Sequence, residues 1–298
     1  MEISSKMVAD LRAETGVGMM DCKKALVEAA GDFEEARKIL RKKGLAAAAS
    51  KAGRATSEGL VVAHVTPLAA VLVEVNCETD FVARTEDFRK FADRLADRIA
   101  AHEAFGDSRG EEADVAGLSW PGETSVAEAV AQLVGTLKEN IRVRRYVRLE
   151  PRPGERFGSY IHGNGKIGVL VGAPGADEAL LKDLAMHVAA ADPRFATRSD
   201  VTAEILDGER EIARAQAVAA GKPPAVVDRI AEGKVEKFYQ ETVLTEQAFV
   251  KDPEKTVAQI LGERAGREAL SVRFVRFKLG ESLGRVPAPG ETAAVASS

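Results

Sequence analysis

Residues suited to chemistry are few and scattered along the chain. Gly163-Asn164-Gly165-Lys166-Ile167-Gly168 spells the G-x-G-x-x-G pattern that, between a strand and a helix, seats a dinucleotide pyrophosphate on a helix N-terminus. Here the glycines lead into Ile167-Gly168-Val169-Leu170-Val171, a strand-like run, and Asn-Gly between two strands is a hairpin-turn signal. Lys166 is not followed by Ser or Thr, so the glycine run is no phosphate-binding G-x-x-x-x-G-K-(S/T) loop. The four histidines, His64, His102, His162 and His187, are widely separated, and none falls in H-E-x-x-H. Cys22 precedes two lysines, which would lower an exposed thiol's pKa, but a small buried helix residue is the better reading. Cys77 sits at a strand end with no base near it in sequence. No nucleophile, base and oxyanion site assemble, so the expectation is a non-enzyme without cofactor or metal.

Three features remain once catalysis is set aside. In Cys77-Glu78-Thr79-Asp80-Phe81-Val82-Ala83-Arg84, a buried strand ends at Asn76 and Thr79 or Asp80 caps a helix. Phe81 and Val82 fall in its first turn. Periodicity alone favours a contact folding that turn back onto the sheet, whereas the other reading is an exposed aromatic wedge backed by an acid. In Thr15 to Leu26, Met19 and Met20 between loop glycines and Lys23-Lys24 form either an adaptable surface or filling for a small core. The third feature is a helical hairpin with apolar stripes, a candidate partner or dimer surface, although packing of its two helices on each other accounts for most of the stripe.

These features need elements to carry them. Ile3, Met7 and Leu11 recur at four-residue spacing, and Thr15-Gly16 ends that helix. Cys22, Ala25, Leu26 and Ala29 share a face of a second helix closed by Gly31, and Asp32 heads a capping box before Ala36, Ile39 and Leu40. Residues 1–45 thus form a three-helix module. Ala46 to Ser57 reads as a solvated tether with a helical start, making 46–58 a linker.

The chain then repeats itself. Leu60–Val65 and Val71–Val75 form a hairpin followed by Leu95-Ala96-Asp97-Arg98-Ile99-Ala100-Ala101. Ser159–His162 and Ile167–Val171 form another, followed by Leu184-Ala185-Met186-His187-Val188-Ala189-Ala190. Each half closes on a strand laced with arginine, Ile141–Leu149 and Ser271–Leu279. The expected fold class is therefore α+β, with two duplicated small antiparallel-sheet and helix subdomains at 59–155 and 156–280. An insertion at about 201–240 forms the helical hairpin. Its stripes are Val201, Ile205, Ile212, Ala215 and Ala219 on one helix, and Val227, Ile230 and Phe238 on the other, with Gly221-Lys222-Pro223-Pro224 between them. Gly106 to Glu123, with the only tryptophan, Trp120, reads as an enlarged loop with no assigned role, and residues 281–298 are expected to be a flexible tail.

The chain has 298 residues, 45% hydrophobic and 30% charged, enough for more than one core. Its net charge of -4 argues against a nucleic-acid binder, and no apolar run reaches the roughly 20 residues that span a bilayer. With no leader after Met1 and two cysteines, the expected location is cytoplasmic.

Read together, Thr15 to Leu26, Glu74 to Ala83, Tyr160 to Gly163, Ile167 to Val171, Met186 to Ala190, Gly221-Lys222-Pro223, Phe249 to Pro253 and Lys255-Thr256-Val257 resemble the elongation factor Ts family, over roughly Ile3 to Glu281. The resemblance implies a ubiquitin-associated-like three-helix module, a duplicated core and a coiled-coil hairpin. It also implies a guanine nucleotide exchange factor that binds elongation factor Tu with GDP or without nucleotide, contacting neither nucleic acid nor membrane. On that resemblance the partner-binding residues are Lys23 in the module, Thr79, Asp80, Phe81 and Val82 in the wedge, His162 in the core and Val250 near the end. Whether the hairpin makes a homodimer stays open. Family members often carry Ile-Gly where this chain has Leu137-Lys138 before Glu139-Asn140, which puts any close backbone contact there in doubt. The alternative is a ribosome- or RNA-associated binding protein, suggested by Arg142, Arg144, Arg145 and Arg148. Alternation favours a solvated or salt-bridged sheet face for these arginines.

Overall fold

The computed structural model describes residues 3–281, so the tail expected after Glu281 lies outside the described residues. The fold is α+β. Two compact units emerge, one comprising 3–62, 73–102 and 110–147, the other 63–72, 103–109 and 148–281.

In the first unit, α1 (Ser5–Thr15), α2 (Met19–Glu28) and α3 (Phe33–Lys51) form the three-helix module. Ser4 caps α1 by accepting from the Met7 N–H, and Gly16 ends it in the left-handed region at φ 68°. Asp32 caps α3 by accepting from the Glu35 N–H. Val8, Leu11, Cys22, Ala25, Leu26, Ala36 and Leu40 make the module's core, with Ile3, Met7 and Ala29 packed at its edge. The helical start of the Ala-rich stretch extends to Lys51, because alanine is the best helix former and α3 has something to pack against.

Following α3 come β1 (Glu58–Val65), β2 (Ala70–Cys77), α4 (Asp80–Ala83) and α5 (Glu86–Ala100). Then β3 (Ser108–Gly110), α6 (Glu112–Val115), α7 (Val126–Leu137) and β4 (Ile141–Leu149) complete a four-stranded sheet in the order β1-β2-β4-β3. Helix α3 crosses α7 at two glycines: a Cβ on Gly44 would lie 3.1 Å from the Ala131 carbonyl oxygen, and one on Gly135 would lie 3.3 Å from the Gly44 Cα. Any side chain there would push the helices apart. Residues 106–123, expected as an enlarged loop, instead contain β3 and α6. Trp120 is buried, its ring centroid 5.0 Å from that of Phe91, so the segment folds down to cover an aromatic that would otherwise face water.

The arginines of β4 are less solvated than alternation suggests. Arg145 and Arg148 are both buried, and Arg145 Nε donates to the fully buried Glu74 carboxylate at 2.7 Å. Arg144 reaches the same carboxylate at 3.4 Å. The face is salt-bridged, and the bridge lies inside the protein.

The second unit holds β5 (Glu155–His162), β6 (Ile167–Pro174), α8 (Glu178–Ala191), α9 (Ala203–Ala219) and α10 (Pro224–Thr242), then β7 (Ala248–Phe249), β8 (Asp252–Thr256), α11 (Val257–Ala265) and β9 (Arg273–Lys278). Strands β5, β6 and β9 pair antiparallel in that order. The glycine run is the turn between β5 and β6, with Gly163, Asn164 and Gly165 all at positive φ and a strand following, so it builds no dinucleotide site. Val169, Val171, Leu180, Leu184, Val188, Phe249, Ile260 and Leu261 share one core. Arg273 grips the buried Glu155 with two bonds, Nε–Oε1 at 2.8 Å and Nη2–Oε2 at 2.7 Å.

Helices α9 and α10 form the expected hairpin, but the packing stripe of α9 differs. Ala213 and Ala217 are buried with Val201, whereas Ile212 is 54% exposed and Ala215 and Ala219 face solvent. The helices approach closely enough that alanine fits between them, and the larger Ile212 is left outside. On α10, Phe238 is buried and Val227 and Ile230 are half-buried, as expected.

A buried ion pair that loses one partner leaves an uncompensated charge, which costs about 3–5 kcal/mol. Glu74→Ala should therefore lower unfolding free energy by about that much in urea titrations, far more than Glu86→Ala, whose Lys90 pair is exposed.

Candidate functional site

The wedge segment starts where β2 runs out. Thr79 is the N-cap of α4, its Oγ1 accepting from the Val82 N–H at 3.4 Å. The four-residue helix turns Val82 and Ala83 inward and leaves Phe81 79% exposed. The inward contact that periodicity favoured is made by Val82 and Ala83, not by Phe81. Asp80 pairs with Arg84 at 2.8 Å along the outer side of the turn.

An isolated helical turn does not hold itself. This one is held from outside by Glu139, in the link between α7 and β4. One Glu139 oxygen accepts from the Glu78 N–H at 3.1 Å and the Thr79 N–H at 3.0 Å, and the other accepts from Thr79 Oγ1 at 2.6 Å. The grip is reciprocal, because Glu78 Oε1 accepts from the Asn140 N–H at 2.6 Å. The buried Asn140 amide in turn donates to the Arg54 carbonyl at 2.8 Å and the Ala52 carbonyl at 3.4 Å. Two turns distant in sequence are thus locked by carboxylates accepting backbone N–H groups, the stronger kind of hydrogen bond.

Lys138, where the family pattern has glycine, sits in the left-handed region at φ 63° as the C-cap of α7. Glycine adopts that backbone without strain and lysine does not. Its side chain reaches Asp21 on α2, with Nζ–Oδ2 at 3.0 Å, and this contact holds the Asp21 carboxyl below its usual range. The pair is half-exposed and worth less than about 1 kcal/mol. Its geometric consequence is larger: Asp21 follows Met19 and Met20, so α2 is bridged to the link that clamps Phe81. Met19 and Met20 are 52% and 63% exposed, and neither fills the module core. Lys23 lies exposed on the same helix.

The remaining expected residues belong to the other unit. His162 is exposed at the end of β5, with Nδ1 3.2 Å from the Tyr160 hydroxyl. Val250 is 53% exposed at the two-residue tip joining β7 to β8, where Phe249 pairs with Asp252. Sequence reasoning missed Glu139, Lys138 and His187 as contributors. Glu139 stands 60 residues from Thr79 with no local pattern to betray it, and the only signal was the departure from glycine beside it.

Both cysteines are buried. Burial is the main cause pushing the Cys77 thiol up to about 12, helped by the Glu139 charge, and burial also raises Cys22. Among the described residues no group of three or more His, Cys, Asp or Glu is arranged to hold a metal, and no helix is long and apolar enough to cross a membrane.

Glu139→Ala should cost about 2 kcal/mol, since it strands donors that a charged acceptor satisfied. It should also speed amide exchange at Thr79 and Val82 while leaving the β2 amides protected. Both thiols should resist alkylation at pH 8 in the folded protein and react on unfolding. Because folding holds the Cys77 proton, its contribution to stability is intact below the unfolded value of 9.0 and drains away as pH climbs toward about 12. A urea midpoint that falls across this range in wild type, and less in Cys77→Ala, would show it.

Comparison with known proteins agrees with the resemblance read from the motifs. A family model described as "Elongation factor TS" matches residues 78–281. Elongation factor Ts of Syntrophotalea carbinolica is 46% identical over 293 residues, covering 95% of each chain. That of Thioalkalivibrio sulfidiphilus is 45% identical, covering 95% of this chain and 94% of its own. That of Aquifex aeolicus is 43% identical, covering 94% and 99%. With a model matched over most of the chain and relatives aligned almost end to end, this protein belongs to the elongation factor Ts family of translation elongation factors.

Proposed function

We propose that the chain is a guanine nucleotide exchange factor that binds elongation factor Tu carrying GDP and promotes release of the nucleotide. It acts in the cytoplasm and catalyses no bond-breaking step. The observation that carries this reading is Phe81, a large aromatic left 79% exposed on a turn that two carboxylates hold in place. Exposing a phenylalanine forgoes about 1.5–3 kcal/mol of burial, which a partner can recover. In this reading Thr79 anchors the turn, Asp80 and Phe81 enter the partner, and Val82 sets the angle from inside. Lys23, with the exposed Met19 and Met20, supplies the contact of the three-helix module, while His162 and Val250 supply contacts of the second unit.

Exchange then follows from linkage. A factor that binds the vacated partner more tightly than the GDP-bound one weakens GDP by the same ratio. Each tenfold takes about 1.4 kcal/mol of differential binding, so Phe81 alone supplies one or two decades and distributed contacts supply the rest. The nucleic-acid alternative loses its best residues, since Arg145 and Arg148 are buried and committed to Glu74, Glu150 and the Gly106 carbonyl. On the helical hairpin, exposed Ile212, Val218 and Val226 offer an apolar surface to a partner or a second copy.

Phe81→Ala should slow release of labelled GDP from elongation factor Tu by about ten- to a hundredfold at limiting factor. Its urea midpoint should stay within about 0.5 kcal/mol of wild type, because the side chain is mostly in water. Unchanged release would remove Phe81 from the mechanism.

A further inference from the structure

His187 is a buried ionisable group that lies apart from the Phe81 turn and its clamp. It lies on α8, 1% exposed, and burial holds it below its ordinary pKa. Both ring nitrogens are engaged, and their roles are fixed by their neighbours. Gln247 donates its amide N–H to the Glu241 carbonyl at 2.8 Å and the Ala191 carbonyl at 3.4 Å, so its oxygen is turned toward His187 Nε2, 3.0 Å away. Nε2 must therefore carry the proton. Nδ1 is left as an acceptor, and it takes the Val250 N–H at 3.2 Å.

One helical turn earlier on α8, Asp183 accepts from Lys251 Nζ at 2.6 Å and is also approached by Arg264 of α11 at 3.7 Å. Val250 and Lys251 are the two tip residues of the β7–β8 hairpin. The tip is thus tied to α8 at both of its residues, through a backbone N–H to His187 and a side chain to Asp183. The Phe249 ring, centroid 5.7 Å from that of His187, covers the site from the hairpin side.

We propose that Asp183 and His187 are the positioning residues of the hairpin tip that presents Val250, and that protonation of His187 releases the tip. This rests on the reading of Val250 as a partner contact. A proton on Nδ1 turns the acceptor into a donor facing another donor, the Val250 N–H, and no rotation of the ring restores the bond while Gln247 holds Nε2. The charged groups around the site neither supply nor relieve the new charge. Asp183 is occupied by Lys251 and Arg264, Glu246 by Arg198, and Glu241 by Lys237. The sign follows from the lowered pKa: below about 6.5 the unfolded chain takes up a proton that the folded site refuses. The stabilisation of the tip is therefore complete above that pH and lost as pH falls through the folded value.

The test reads the Val250 amide directly. Its hydrogen-exchange protection, relative to the intrinsic rate at each pH, should fall about tenfold between pH 7.5 and 5.5, the worth of one hydrogen bond. Protection in β6 should stay constant. His187→Asn keeps an acceptor near the Nδ1 position but cannot titrate in this range, so its Val250 protection should not change with pH. Asp183→Asn, which leaves the histidine in place, should lower Val250 protection severalfold at pH 7.5 and keep the pH dependence. Constant protection in wild type, or the same acid loss in His187→Asn, would overturn the proposal, and the wild-type titration decides even if a variant fails to fold. GDP release from elongation factor Tu is then timed over the same pH range. If Val250 loosens with acid and release does not slow, the positioning role stands and the assignment of Val250 to the partner surface falls.

Discussion

The carboxylate of Glu139 over the start of α4 is the contact on which the presentation of Phe81 depends. A four-residue helix has no stability of its own, and its first N–H groups have no partners within it. Glu139 satisfies the donors leading into the turn, Thr79 satisfies the Val82 N–H, and the positive end of the turn meets a negative charge. With the backbone fixed from behind, Val82 can pack inward and Phe81 is left pointing out. Without that grip the aromatic would gain by folding back onto its own protein, and the exposed wedge would cease to exist as a defined shape.

The same chemistry recurs deeper in both units. Glu74 on β2 meets Arg145 on β4, and Glu155 on β5 meets Arg273 on β9, each carboxylate buried and held at 2.7–2.8 Å. Such pairs add little net stability over an apolar pair of equal volume, because desolvation offsets attraction. What they do impose is register. A β9 slipped by one residue would put Arg273 on the opposite face and strand the Glu155 charge, whereas on β4 adjacent Arg144 and Arg145 both reach Glu74. In the small β5-β6-β9 sheet, the Glu155–Arg273 pair favours one alignment of the strands.

Much of this was legible in the residues. The capped helices of the module, the hairpin reading of Gly163-Asn164-Gly165, the two arginine strands and the α9–α10 hairpin all rest on local signals that tertiary contacts had no cause to overrule. The α9 stripe was misread because periodicity ranks residues by apolarity, and at a close helix crossing the residue chosen is the one that fits. Ala213 and Ala217 pack where Ile212 would not. The segment containing Trp120 was misread for a related reason: its polar and glycine residues look like loop, and only Phe91, some thirty positions earlier, gives the tryptophan a place to bury.

The sequence by itself determined the α+β class, the motif set and therefore the family, because these depend on residue identity and short-range spacing. It left open whether Phe81 faces inward or outward, since an amphipathic turn of four residues carries too few positions to define a face. That choice belongs to Glu139 and Asn140, which lie about sixty residues from the wedge and act on it only once the chain has folded. Likewise nothing around His187 in the chain announces a link to Val250, because a ring nitrogen accepting a distant backbone N–H leaves no trace in spacing or composition.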